Sequence, residues 1–260
     1  MTVRCYNSDV LPAQPNRSLM DGIACLQALV SSERPLGTRE LARLLGLEPT
    51  RVNRLLRTLA AMRLAEQVEG RKYRPGTGIH VLAAQSLHGS GLIDRALRHL
   101  RGLHDFGHAV ALGVLWRDQV SYLYHVGTRD PEAHMLQGTS WPAASSGIGI
   151  ALLAHETEEH VREVYAPTDA SLFQLSSPRP RLDGEDGLLA TLARTREQGY
   201  ALVATEPGMS TLGVTIGHPP YAALGVSGAL TDDEVPALLA ALTTAAKEID
   251  GGAERSGRPA

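Results

Sequence analysis

Cysteine is nearly missing from this chain: Cys5 and Cys25 are the two in 260 residues. They form no CxxC pair, so neither a disulfide framework nor a zinc site follows from them. Lysine is equally scarce, with 2 against 23 arginines, a bias that speaks of GC-rich coding more than of function. There is no apolar run of about 20 residues and no charged, apolar, small-residue leader. Neither a membrane span nor a secretory signal is therefore expected, and the chain is expected to stay in the cytoplasm. What is present is the composition of an ordinary soluble protein, long enough for one large or two modest cores.

The net charge of −3 conceals two halves of opposite sign. Residues 17–78 carry 11 Lys+Arg and 6 Asp+Glu, whereas residues 79–260 carry 13 and 21. A polyanion would be attracted by the first half and repelled by the second.

The basic half is organised around residues 37–63, GTRELARLLGLEPTRVNRLLRTLAAMR, which read as two helices joined by a tight turn. Val52, Leu55, Leu56 and Leu59 fall on one stripe at helical period, with Thr50, Arg51, Asn53, Arg54 and Arg57 on the opposite side. In the preceding helix Leu41, Leu44 and Leu45 are expected to turn inward. Gly46 can take the positive φ of a helix C-terminus, and Pro49 can open the next helix. That is a helix-turn-helix, whose second helix enters a DNA major groove. Such spacing alone also fits a plain helical hairpin. Residues 64–68 and Tyr73-Arg74 then read as strands flanking Glu69-Gly70-Arg71-Lys72, a basic glycine turn that completes a winged helix. The expected DNA-binding residues are Thr38, Arg39, Thr50, Arg51, Asn53, Arg54, Arg57, Arg71 and Lys72, with Arg and Asn suited to base edges and Thr to phosphate. Upstream, residues 1–16 read as a disordered arm. Ser18 is the expected cap of a first helix whose Leu19, Ile23, Leu26, Leu29 and Val30 should close the small core.

The winged helix is expected over 17–78 and a linker helix over 79–91, ending at Gly89-Ser-Gly91. From residue 92 the order is a helix to about Phe106, strands over 110–116 and 120–126, helices over 150–154 and 157–165, and a loop over 167–187. A helix over 188–198, strands over 200–205, 211–216 and 222–226, and a closing helix after the capping-box spacing Thr231-Asp-Asp-Glu234 follow. This order suggests an antiparallel sheet covered by helices over 92–250, an α+β domain. Residues 251–260 read as a disordered tail.

No catalytic or metal constellation has the right spacing. His155 and His160 are five apart rather than the four of a zinc-protease helix, about 140° round a helix from one another. Gly225-Val-Ser227-Gly228 is no nucleophile elbow, and Gly147-Ile-Gly149 lacks the third glycine of a dinucleotide fingerprint. No cofactor is expected, and the chain is expected not to be an enzyme.

Taken in order, Ser18-Leu19 with Gly22-Ile23, the helix-turn-helix, Tyr73-Arg-Pro-Gly76, Gly138 with Pro142 and Ser146-Gly-Ile-Gly149, Arg196-Glu-Gln-Gly-Tyr200, Glu206-Pro-Gly208 and Leu224-Gly-Val-Ser-Gly228 resemble the IclR family of bacterial transcriptional regulators over about 17–249. The resemblance implies a winged-helix DNA-binding domain, a linker helix and a GAF-like domain that binds a small effector. It also implies a homodimer or homotetramer on double-stranded operator DNA. Carried over residue by residue, it places the effector, a small organic or aromatic acid or derivative, beside Ser146, Gly147, Ile148, Glu206, Thr211 and Ser227. Thr211 stands where many members have cysteine, Gly225 where serine is common and Ile150 where lysine is frequent, so the pocket is less polar than the family pattern. Two other readings stay open at this point: a second domain that only oligomerises, and an enzyme fused to a winged helix.

Overall fold

A computed structural model of the chain describes residues 14–127, 140–166 and 179–256. They form two units, the described residues up to Ser86 and those from Leu87 onward, each with its own core. Residues 1–13 of the expected arm, 167–178 of the expected loop and 257–260 of the expected tail lie outside the described residues.

In the first unit, α1 (Arg17–Val30) is capped by Asn16, whose side chain accepts from the Leu19 amide at 3.0 Å. Ser18, the expected cap, is already inside the helix. α2 (Thr38–Leu45) stops at Gly46, with φ 63°, and Pro49 is the first residue of α3 (Pro49–Ala61), where its missing N–H has no partner to lose. Val52, Leu56 and Leu59 of α3 meet Leu29 and Leu41 in one core. β2 (Ala65–Val68) and β3 (Lys72–Pro75) form the wing, with both Gly70 and Arg71 at positive φ in the turn. Lys72, expected in that turn, is the first residue of β3. β1 (Leu36–Gly37), too short to show any period, joins the free edge of β3 to give the order β1-β3-β2.

The apolar period of α1 faces the core only in part: Leu29 is buried and Leu26 packs partly against it, as expected. Ala24, Cys25 and Leu29 are buried, whereas Leu19, Ile23 and Val30 are 62%, 44% and 53% exposed. The small side chains of Ala24 and Cys25 let α1 lie close against α3, and a helix has no second core to bury its other stripe. Leu44 of α2 is likewise exposed rather than inward. Burial, and after it the nearby Asp21 charge, push the Cys25 thiol up to about 11, so it stays protonated.

α4 (Thr77–Ser90) starts two residues before the expected linker helix and buries none of its residues. Gly91, at φ 60°, separates it from α5 (Leu92–Leu103). The second unit continues with β4 (Ala109–Trp116), β5 (Gln119–Val126), β6 (Ser140–Pro142), α6 (Gly147–Leu153) and α7 (Glu158–Val164). After them come α8 (Leu188–Gln198), β7 (Ala201–Glu206), β8 (Met209–Ile216), β9 (Ala222–Gly228) and α9 (Val235–Ser256). The six strands make one antiparallel sheet in the order β6-β5-β4-β9-β8-β7.

Alternation along each strand divides the side chains between two cores. Leu112, Leu212 and Leu224 pack with Leu100 of α5 and Leu238 and Leu242 of α9. Ala111, Val120 and Ala223 pack on the other face with Ile148 and Leu153 of α6 and Leu192 of α8. The Glu234 carboxylate accepts from the Thr231 amide at 3.0 Å and hydroxyl at 2.8 Å, closing the box ahead of α9. Contrary to the expected tail, α9 continues through residues 251–256; Gly252 is tolerated there because the Arg95 side chain fills the space its Cβ would take.

Candidate DNA interface and effector site

Thr50, Asn53, Arg54 and Arg57 are exposed on α3, spaced three and four residues apart along one face. Neither Arg54 nor Arg57 has a carboxylate partner among the described residues. Arg39 in the first turn of α2, and Arg71 and Lys72 of the wing, are exposed too; Thr38 is half-buried. Arg74 is tied across the wing to Glu66 at 3.0 Å.

Arg51 differs from its neighbours. Its guanidinium pairs with the Asp21 carboxylate of α1, which is 6% exposed. This ion pair ties the recognition helix to α1. No local pattern marks Asp21, which becomes a neighbour of Arg51 only where α1 packs on α3. Because Arg51 keeps part of its side chain in solvent, Asp21→Ala is expected to destabilise by about 1–3 kcal/mol rather than by the larger penalty of a fully buried lone charge. A urea titration checks this, and Arg51→Ala is expected to move the urea midpoint much more than it moves DNA affinity. The opposite pattern, an unchanged midpoint with lost binding, would return Arg51 to the interface.

The effector candidates gather at the start of α6. Ser146 caps that helix, its Oγ accepting from the Gly149 amide at 3.3 Å, and lies 3.2 Å from the Tyr122 hydroxyl. Burial pushes the Tyr122 phenol up, so it remains a neutral donor. Gly147 abuts β8: a Cβ there would fall 2.6 Å from Thr211 Oγ1. Thr211 stands opposite Ser227 in the β8–β9 register, and Ser227 opposite Ala109. Ser146, Gly147, Thr211 and Ser227 thus share the α6 side of the sheet, with Tyr122 and His125 in tilted ring contact, 5.4 Å between centroids, on β5.

Two expected contacts do not join them. Ile148 is 2% exposed and packs on Gly113 and Gly225, where added Cβ atoms would come within 3.2 Å and 2.9 Å of its side chain. Glu206 stands exposed at the β7–β8 turn, opposite Met209. The helix itself begins at Gly147 rather than Ile150, and its C-terminal end is held by Arg196, whose guanidinium donates to the Glu156 carbonyl at 3.1 Å and also to that of Ala154. No group of three or more metal-ligating side chains occurs among the described residues, and no helix there is long and apolar enough to cross a membrane.

Residues 18–69 match the model of the IclR helix-turn-helix domain, and residues 84–251 match the model of the C-terminal domain of bacterial IclR transcriptional regulators. The chain belongs to the IclR family. As such it is a DNA-binding transcriptional regulator, and its curated relatives are regulators rather than enzymes. The HTH-type transcriptional regulator BhcR of Paracoccus denitrificans is 29% identical over 235 residues, covering 86% of this chain and 83% of that protein. The glycerol operon regulatory protein of Streptomyces coelicolor is 29% identical over 258 residues, covering 92% and 98%. An IclR-type regulator from Silicibacter sp. TM1040 shares the fold with a TM-score of 0.73 at 24% identity, over 91% of this chain and 96% of that one. An IclR homologue from Microbacterium hydrocarbonoxydans, complexed with 4-hydroxybenzoate, does so with a TM-score of 0.63 at 20% identity, over 92% and 99%. The α+β fold with an N-terminal helix-turn-helix expected from the sequence is the fold of this family.

Proposed function

We propose that this regulator binds operator DNA in the cytoplasm as a symmetric homodimer, or as a dimer of such dimers, and that a small organic effector in the second unit alters that binding. The observation that carries the DNA arm is the exposed row Thr50, Asn53, Arg54 and Arg57 on a helix whose opposite side is locked in a core. Arg39, Arg71 and Lys72 add phosphate contacts on either side. A dimer suits the apolar stripe of α1. Leu19, Ile23 and Val30 are exposed, and with the half-buried Leu26 between them they are spaced four, three and four residues apart, the spacing that packs a helix against a copy of itself. Two-fold symmetry then presents two recognition helices to two half-sites.

For the effector arm, Ser146, the Gly147 amide, Thr211 and Ser227 offer neutral hydroxyl and amide groups, with Tyr122 and His125 as a flat wall. That set suits a small organic or aromatic acid or its derivative. The 4-hydroxybenzoate held by the Microbacterium homologue is of this class. Glycerol joins the candidates through the names of the Streptomyces relatives. Such a ligand acts on DNA only if it prefers one arrangement of the protein over another.

The experiment is a thermal-shift screen of the full chain against organic acids, aromatic acids, their amides and glycerol. A ligand at about a hundredfold its Kd adds about 2.7 kcal/mol. For a unit of this size the melting temperature is then expected to rise by roughly 5–10 °C. Hits are taken into an operator-binding titration, where affinity is expected to change. A panel without any shift would leave the second unit a purely oligomerising one.

A further inference from the structure

The hydroxyl of Thr58 is taken up by its own helix: its Oγ1 donates to the Arg54 carbonyl, four residues back, at 3.0 Å. A helical threonine divides between two rotamers, and this bond selects one of them, so the γ-methyl is held in a fixed direction. Thr58 is nevertheless exposed, on the same helix as Thr50, Asn53, Arg54 and Arg57. With 3.6 residues to a turn, it stands about 50° from the direction opposite the buried Val52, Leu56 and Leu59, whereas Asn53 stands about 90° from it. Thr58 therefore faces more squarely outward than Asn53. It follows Arg57 by one residue, about 1.5 Å of rise.

The chemistry of the helix surface changes at this point. Arg54 and Arg57 bring charge; beyond them Thr58, Ala61 and Met62 are exposed, and none of the three carries any. A threonine with a free hydroxyl can donate to phosphate, but in Thr58 that hydroxyl is engaged and what is left for the groove is a methyl group. The base edges of the major groove present donors and acceptors that a methyl group cannot satisfy, with one apolar exception, the C5-methyl of thymine. We propose that Thr58 is a specificity-determining residue, which reads the 5-methyl group of a thymine through its own γ-methyl. The inference rests on α3 as the reading helix and deepens that reading by adding to its polar contacts an apolar one, beside the bases that Arg54 and Arg57 reach.

The test uses the full chain and duplexes obtained by selecting random DNA on it. Each thymine of the selected site is replaced singly by deoxyuracil, which lacks only the 5-methyl group, and affinity is read by fluorescence anisotropy. For the wild type, one thymine, or one in each half of a two-fold site, is expected to show a loss of about fourfold, the worth of one buried methyl group. Thr58→Ser keeps the hydroxyl and removes the methyl. It is expected to bind the thymine duplex about fourfold more weakly than the wild type and to lose nothing further on deoxyuracil. Thr58→Val keeps a methyl without the hydroxyl and is expected to retain the preference for thymine. The cycle isolates the contact between the two methyl groups, since each change removes one of them and leaves the polar groups of the partner in place.

A selected site without a methyl-sensitive thymine overturns the proposal, and the wild-type titrations alone reveal it. So does a Thr58→Ser variant with the full deoxyuracil penalty. A Thr58→Val variant that binds every sequence more weakly, beside an unaffected Thr58→Ser, overturns it in favour of a hydroxyl contact to phosphate. A full chain that enriches no common sequence overturns α3 as the reading helix, and the inference with it.

Discussion

Replacing Arg54 and Arg57 together by alanine is expected to weaken operator binding by roughly 10²–10⁴-fold. Each bidentate contact from arginine to guanine carries about 1–3 kcal/mol, and two contacts on successive helical turns add approximately. The fold should be indifferent to the change. Both side chains are exposed, neither has a carboxylate partner among the described residues, and alanine is at least as good a helix former as arginine. Unfolding is thus expected to shift by no more than about 0.5 kcal/mol. The salt dependence separates two ways of losing affinity. If the arginines read base edges, sequence discrimination falls and the slope of log affinity against log salt barely moves. If they hold phosphate, binding falls on every sequence and the slope drops by about 0.9 per contact. Undiminished operator affinity in the double variant would remove α3 as the reading element.

The contrast between these arginines and Arg51 shows where a helical wheel stops being informative. All three lie on the polar side of one helix, and nothing in the local sequence distinguishes them. What does is Asp21, thirty residues earlier on α1, which becomes a neighbour of Arg51 only when α1 packs on α3. The same packing decides which stripe of α1 is core. Periodicity marked Leu19, Ile23, Leu26, Leu29 and Val30; Leu29 is buried and Leu26 packs partly on the core, while Leu19, Ile23 and Val30 stay outside and the small Ala24 and Cys25 take their place. Apolar spacing locates a face that needs a partner; it does not say whether the partner lies in the same chain.

Local signals fared better. Gly46 ends α2, Pro49 opens α3, Gly199 at φ 80° ends α8, and Thr231 with Glu234 opens α9, each through chemistry that acts within four residues. The start of α6 escaped because Gly147 and Gly149 read as loop. Both are dictated from outside the helix: a Cβ on Gly149 would fall 2.2 Å from the Ala143 carbonyl oxygen. The seat of α6 escaped for a similar reason. Gly113, Gly213 and Gly225 sit on β4, β8 and β9, which become adjacent only through strand pairing: Gly213 faces Gly225, and Gly225 faces Ala111, two residues before Gly113. Together they leave a shallow strip where the helix can rest, with the Gly147 carbonyl 2.4 Å from where a Gly213 Cβ would be. The side chain of Ile148, a residue placed by resemblance in the effector site, fills that strip.

The exposed stripe of α1 leads to the other large expected effect. Ile23→Glu places a charge in the middle of Leu19, Ile23, Leu26 and Val30, at a position already 44% exposed, so the unit's own core loses little. Facing a second copy, the same change puts two carboxylates close together across an apolar seam, an arrangement that is repelled and poorly hydrated. Affinity for a duplex with two half-sites is expected to fall by about a hundredfold or more, toward the single-site value, because the second helix no longer arrives tethered to the first. Single-site affinity and the urea midpoint are expected to stay near those of the wild type, which separates loss of pairing from loss of fold. Val30→Glu, at the edge of the same stripe, should show a smaller loss of the same kind. Full retention of two-site affinity by Ile23→Glu would mean that the DNA-binding units do not meet through α1, and the pairing would have to be sought on another face.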